Sequence, residues 1–204
     1  MGFYSRHVFP RLCHLAMRNE RLLPYRKRIA GAAEGRVVEI GIGPGLNFPF
    51  YGAGVSEVVG IDPSPQLLAL ARQAAKSSPI PAKLIAGTAE SVPLSSKSAD
   101  TVVMTWTLCS VPHAGEALRE IRRVLKPGGR LFFAEHGLAP EARIRCWQDL
   151  LTPPWRLISG GCHLNRPVKD LIEAAGFRLC RLETGYIKGP KPFTYFYEGC
   201  AELR

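Results

Sequence analysis

The sequence contains no Cys-x-x-Cys pair; its six cysteines, at positions 13, 109, 146, 162, 180 and 200, are scattered. That scatter fits reduced thiols better than a disulfide frame or a zinc module. Cys162-His163 is an adjacent pair of potential ligands, and two neighbours with no further ligand nearby do not hold a metal, so none is expected. No apolar stretch approaches the roughly 20 residues of a membrane span; the longest lies around Thr101 to Pro112. Arg6, His7 and Arg11 interrupt the N-terminal apolar residues, so no signal-peptide core forms. Repeats and low-complexity tracts are also missing. These absences predict a soluble, cytoplasmic protein and leave its oligomeric state open.

Acidic residues are scarce too. The 204 residues hold 17 Asp and Glu against 27 Lys and Arg, a net charge of +10, with an ordinary 46% of hydrophobic residues. Such an excess raises the question of nucleic-acid or anionic-membrane contact. One basic cluster comprises Arg18, Arg21, Arg26, Lys27 and Arg28 around Leu22 and Leu23, a pattern suited to peripheral contact with an anionic membrane. A second, Arg119, Arg122, Arg123 and Lys126, has helical spacing and reads as the solvated face of a crossover helix. The first cluster holds a single aromatic, Tyr25, and the second none, so no base-stacking surface is expected and no nucleic-acid partner is assigned.

From Val37 onward, strand and helix patterns alternate, which predicts an α/β fold, a doubly wound parallel sheet. Strands are expected at Arg36 to Ile40, Glu57 to Ile61, Lys83 to Ala86, Asp100 to Met104 and Arg130 to Glu135. Ser64-Pro65 starts one helix, with Leu67, Leu68, Ala71, Ala74 and Ala75 facing inward. His113 to Leu125 forms another, stopped by Lys126-Pro127-Gly128-Gly129. Further helices are read over Glu141 to Leu151 and Pro167 to Ala175. The last two strands, Phe177 to Gly185 and Pro192 to Gly199, are joined too closely for a crossover and should pair antiparallel. Residues 1–35 form a helical segment that either covers the cleft or packs on the sheet, ahead of one domain over 36–204.

The most informative segment is Glu39-Ile40-Gly41-Ile42-Gly43-Pro44-Gly45-Leu46-Asn47, followed by Val58-Val59-Gly60-Ile61-Asp62. Alternate glycines permit a sharp turn and close approach of a ligand to the main chain. Asp62, 21 positions after Gly41, is placed to accept hydrogen bonds from ribose hydroxyls. A pyrophosphate is disfavoured, because the dinucleotide fingerprint needs its third glycine where Leu46 stands. Nor is any tyrosine followed four residues later by lysine, which argues against a short-chain dehydrogenase.

The Glu-x-Gly-x-Gly-x-Gly turn resembles motif I of the class I S-adenosylmethionine-dependent methyltransferases of the ubiquinone and menaquinone biosynthesis type. Gly87 to Leu94, Ser98 to Val103 and Leu118 to Gly129 are similar to later family segments in the same order. Glu39 to Asn47, Thr107 to Val111, Glu135-His136, Trp155 and Gly161 to Arg166 resemble a narrower group that includes thiol S-methyltransferases. The resemblance implies a Rossmann-like fold of five parallel strands with a terminal antiparallel hairpin, S-adenosylmethionine as cofactor, and a small acceptor bearing a thiol, amine or phenol. A phospholipid or quinone precursor at a membrane surface is the alternative acceptor. It also implies cofactor contacts from Glu39, Gly41, Gly43, Gly45, Asn47, Asp62, Pro63 and Thr105. Thr88 stands where the family has Asp, which leaves Ala89 and Glu90 as substitutes for the adenine contact.

Ligands of open α/β sheets bind at the carboxyl ends of the strands. The acceptor pocket is therefore expected at Trp106, Leu108 and Cys109 after the fourth strand and His136 after the fifth, with Trp155, His163 and Asn165 closing it. His136 is the candidate proton acceptor. A base-amine methyltransferase is disfavoured because Thr105-Trp106-Thr107-Leu108 replaces the Pro-Pro-aromatic run of such enzymes. A non-catalytic binding module is opposed by the intact turn and Asp62.

Overall fold

The β-branched, apolar runs become strands, the central ones buried on both faces. In the computed structural model, which describes residues 8–204, β1 is Gly35–Ile40, β2 Val55–Asp62, β3 Ala82–Ala86, β4 Ala99–Thr105, β5 Leu125–His136, β6 Phe177–Tyr186 and β7 Tyr195–Leu203. They form one sheet in the order β3-β2-β1-β4-β5-β7-β6. The first five strands are parallel, while β7 lies antiparallel between β5 and β6. Arg6 and His7, and with them the start of the expected N-terminal segment, lie outside the described residues. No described helix is long and apolar enough to cross a membrane.

Among the described residues, six α-helices flank the sheet: α1 Phe9–Met17, α2 Leu23–Gly31, α3 Pro65–Ala75, α4 Ala114–Val124, α5 Ala142–Ile158 and α6 Val168–Ala174. The two-residue period of the strands sorts the core into two layers. Val38, Val59, Val102 and Leu131 pack under α4 and α6; Val37, Val58, Val103 and Phe132 pack under α2 and α3. On α4, Leu118, Ile121 and Val124 are fully buried, each contributing about 1.5–3 kcal/mol. Ser64 caps α3 by accepting the Leu67 N–H at 3.3 Å.

Several element boundaries differ from expectation. The fifth strand begins at Leu125, paired with Ala99, and Lys126 to Gly129 form a bulge inside it, with Gly128 at φ +78. Helix α5 does not stop at Leu151 but runs through Pro153 and Pro154 to Ile158. The carbonyls deprived of partners there belong to Asp149 and Leu150, on the solvent side where water replaces the lost bonds. Beyond them Trp155 anchors the last turns, 4.9 Å centroid to centroid from Phe193. Before β7, Lys191–Phe193 is a 3-10 turn, so the strand starts at Tyr195 rather than Pro192.

Some members of the basic clusters are held by partners within the fold. Arg26 is only 4% exposed, Arg28 pairs with Glu198 at 2.6 Å, and Arg21 donates to the Lys188 carbonyl. Leu22 and Arg26 are thus withdrawn from the stripe, while Arg18, Arg21, Leu23, Lys27 and Arg28 stay exposed. In the second cluster, Arg123 holds Glu120 and the carbonyls of Val92 and Leu94, and Lys126 holds Asp100.

Candidate active site

The carboxyl ends of β1, β2, β4 and β5 open onto a cavity of about 830 Å3. Its floor starts at the turn after β1. Gly41, at φ +68, has no room for a Cβ, which would meet the Thr107 side chain at 2.2 Å. Gly43, at φ +55, is different: a Cβ there would meet no protein atom closer than 3.9 Å and would enter the cavity. Gly45 does not line the cavity; it lets Phe48 and α3 pack closely, a Cβ there lying 2.9 Å from the Phe48 ring and 3.1 Å from Ala74.

Asp62, at the end of β2, is buried beside this turn. Its carboxylate accepts the Gly43 N–H at 2.9 Å and the Ser64 N–H at 2.8 Å. Burial raises its pKa, and the two amides counter that effect. Each oxygen keeps a lone pair that can accept a hydroxyl from the cavity. Pro63, Thr88, Ala89, Glu90 and Thr105 line the same space.

Glu39 and Asn47, expected to contact cofactor, lie beneath the turn instead. Asn47 Nδ2 donates to Glu39 Oε1 at 2.8 Å and to Thr105 Oγ1 at 3.1 Å, while its Oδ1 accepts from Arg26 at 2.9 Å. Tyr51 donates to the other Glu39 oxygen at 2.6 Å. Burial pushes Glu39 up to about 7 against the effects of Tyr51, Arg26 and Asn47. This network shapes the turn from below; it was invisible in the sequence because Arg26 is disguised among surface-like basic residues.

Beyond the turn the cavity becomes apolar. Helix α1 roofs it with Phe9, Leu12, Cys13, Ala16 and Met17, and Phe193 and Phe196 enter from the C-terminal hairpin. Trp106 lines the cavity in a left-handed conformation, φ +52, with the Arg26 guanidinium 4.6 Å over its ring and Phe196 edge-on. Glu135, fully buried, accepts the N–H groups of Thr107, Leu108 and Cys109 at 2.8, 2.9 and 3.2 Å, fixing the loop that follows β4. Leu108 therefore points into the core and does not line the cavity. Asn165 also misses it, donating to Asp149 at 2.7 Å.

Cys109, His136, Trp155 and His163 meet at the far end, joined by Cys162. His136 Nδ1 lies 3.7 Å from Cys162 Sγ, and its Nε2 is buried with no hydrogen-bond partner. Burial lowers its pKa to about 4, so the imidazole is neutral at pH 7. Cys162 is held below the usual thiol range by its contact with Cys109, which is itself pushed well up. Among the described residues no group of three His, Cys, Asp or Glu is arranged to hold a metal ion.

A glycine cradle open to a ligand and a carboxylate beside it, at the ends of parallel strands, fit a nucleoside-bearing cofactor. Residues 38–133 match the family model described as a methyltransferase domain. The thiol S-methyltransferase TMT1A of Homo sapiens is 34% identical over 171 residues, covering 79% of this chain and 69% of that protein. The chain belongs to the class I S-adenosylmethionine-dependent methyltransferases. As a member, it has S-adenosylmethionine as its cofactor. TMT1B of Rattus norvegicus is 38% identical over 167 residues, 80% of this chain and 66% of the relative; the chain spans about two thirds of the length of these curated relatives. The crystal structure of an S-adenosylmethionine-dependent methyltransferase from Mesorhizobium loti shares the fold, with a TM-score of 0.67 at 17% identity, over 90% of this chain and 99% of that one.

Proposed function

We propose that this methyltransferase transfers the methyl group of S-adenosylmethionine to the sulfur of a small apolar thiol. The observation that carries the reading is the apolar chamber beyond the cradle, with a neutral His136 in its wall. The cofactor supplies an electrophilic methyl group on a good neutral leaving group, so the chain need only align the acceptor and exclude water. Gly43 leaves the cradle open and Asp62 holds the ribose hydroxyls, while Pro63, Thr88, Ala89, Glu90 and Thr105 complete the cofactor's surroundings. Trp106, Phe196 and Trp155 bind the apolar body of the acceptor. His136 accepts the S–H hydrogen bond and aims the sulfur. A thiol of pKa about 8.5 does not fully protonate an imidazole held at about 4, so the proton leaves through the mouth to water.

The test is release of S-adenosylhomocysteine by the purified protein with small alkyl thiols, phenols, amines, phosphatidylethanolamine and RNA in parallel. Turnover with the apolar thiols supports the reading. Turnover confined to the lipid, a phenol or RNA overturns it.

Peripheral contact with an anionic membrane belongs to the same proposal, at the cavity mouth. Leu12, Leu15, Leu150, Leu157 and Ile158 are exposed on α1 and α5, Leu157 by 79%, among the exposed Arg11, Arg143 and Arg156. Apolar side chains ringed by cations suit the headgroup region, where an amphipathic acceptor partitions. Co-sedimentation with vesicles containing anionic lipid, lost on Leu15→Glu with Leu157→Glu, supports this contact; no sedimentation at low salt removes it.

A further inference from the structure

Three cysteines surround the chamber: Cys13, Cys109 and Cys162. Cys13, under α1, stays protonated, since burial pushes it up to about 11. The other two are placed as a pair. The amide of His163, the residue after Cys162, donates to the Cys109 carbonyl at 2.8 Å, and His163 Nδ1 lies 3.0 Å from the same oxygen. These bonds tie the loop after α5 to the loop after β4 and bring the two cysteine backbones side by side. A disulfide needs such a placement, with Cα atoms about 4.4–6.8 Å apart.

The two thiols differ in access. Cys162 is half-buried and opens onto the chamber, whereas Cys109 is 2% exposed and lies behind it. Contact with the Cys109 thiol lowers the pKa of Cys162 and raises that of Cys109. The His136 ring stands 3.7 Å from Cys162 Sγ. One sulfur is thus presented to whatever enters, and the second waits within reach of the first. This order, an attacking thiol in front of a resolving thiol, is what thiol–disulfide exchange requires.

We propose that Cys162 and Cys109 form a reactive dithiol in the chamber wall that exchanges with small apolar disulfides. The Cys162 thiolate attacks one sulfur of R–S–S–R; the Cys162–S–S–R bond forms as the S–S bond of R–S–S–R breaks, and the first R–S thiolate leaves and takes the Cys109 proton. The Cys109 thiolate then attacks Cys162 Sγ, closing the protein disulfide and expelling the second R–S thiolate. Two electrons pass from the dithiol to the small disulfide, which leaves as one thiol and one thiolate. The closed form reopens with an added dithiol reductant. Nothing in this exchange depends on which acceptor the methyltransferase takes.

The experiment treats the full-length protein with dipyridyl disulfide at neutral pH and maps its cysteines by mass spectrometry of peptides. The wild type is expected to yield a Cys109–Cys162 cross-linked peptide lacking two hydrogens, reversed by dithiothreitol. Cys109→Ser removes the resolving thiol, so a stable pyridyl adduct should accumulate on Cys162; Cys109→Ala serves if the serine variant does not fold. Cys162→Ser should leave Cys109 unmodified. A wild type that carries pyridyl adducts on the exposed Cys146 and Cys180 while Cys109 and Cys162 remain free thiols overturns the proposal. So does a folded Cys109 variant without an adduct on Cys162.

Discussion

The Glu39 carboxylate accepts the Tyr51 hydroxyl at 2.6 Å in a site with no solvent access. Its folded-state pKa of about 7 lies above the value of about 4.3 it has in an unfolded chain. Folding therefore favours protonated Glu39. That stabilisation is present below pH 4.3 and is lost as pH rises through 7, a change on the order of 3 kcal/mol. His136 acts in the opposite sense. Its folded pKa of about 4 lies below its unfolded value of about 6.5, so its contribution is present above pH 6.5 and lost as pH falls through 4. The two trends offset one another between about pH 4.5 and 6.5. Glu39→Gln keeps the Tyr51 and Asn47 contacts, and its denaturant-derived stability should rise more steeply with pH over that range than the wild type's. Parallel curves for the two proteins would show that Glu39 is ionised throughout.

Gly41 and Gly43 both have positive φ, yet alanine should act differently at each. Gly41→Ala drives a methyl into Thr107 and should lower the thermal unfolding midpoint by several degrees, as a loss of about 2–3 kcal/mol does. Gly43→Ala meets no protein atom, so its backbone strain costs only about 1 kcal/mol, while cofactor binding should fall at least tenfold. Calorimetry with S-adenosylhomocysteine, alongside thermal melts, separates them; equal binding by Gly43→Ala and wild type contradicts the cradle.

Asp62→Ala should weaken cofactor binding by about 1.5–3 kcal/mol, the range for hydrogen bonds to a charged group. Part of that loss comes from the freed amides of Gly43 and Ser64. Asp62→Asn keeps one acceptor oxygen and should fall between. Unchanged affinity in both variants would remove Asp62 from the site.

For an aliphatic thiol acceptor, kcat/KM should climb toward the acceptor's own pKa of about 8.5, because His136 does not carry the proton. His136→Ala should reduce turnover by about 10-fold to 100-fold without moving that inflection. An inflection near pH 6–7 that vanishes in His136→Ala would instead make the histidine the base.

Arg26→Met should destabilise the fold by about 2–4 kcal/mol, since it strips a buried partner from Asn47 and leaves the Glu39 region without its cation. Lys27→Met, one residue on and exposed, should change stability by less than about 0.5 kcal/mol. Chemical denaturation of the pair compares them directly.

What was legible in the sequence was local. The glycine turn, Asp62, the Ser64 cap and the alternation of strands each depend on residues within a few positions, and the structure keeps them together. What escaped was brought together from a distance: Arg26 reaching Asn47, Phe196 reaching Trp106, and the Cys162 loop returning to Cys109. Burial reverses the meaning of a residue type in such cases, turning Arg26 from a surface cation into a core donor and Glu39 from a ligand candidate into a support. The helix expected over Glu141 to Leu151 runs on through Pro153-Pro154 because the lost bonds face the solvent side.

The Arg26 guanidinium holds two parts of the site at once. One nitrogen donates to Asn47, beneath the cradle, and the other to the Met17 carbonyl at 3.2 Å, where the α1 roof ends. Lifting the roof therefore loosens the support of the cradle. A ligand that tightens the cradle in turn raises the free energy of opening, and by thermodynamic reciprocity a closed roof raises affinity for that ligand by the same factor. Cradle and roof thus share a single buried side chain.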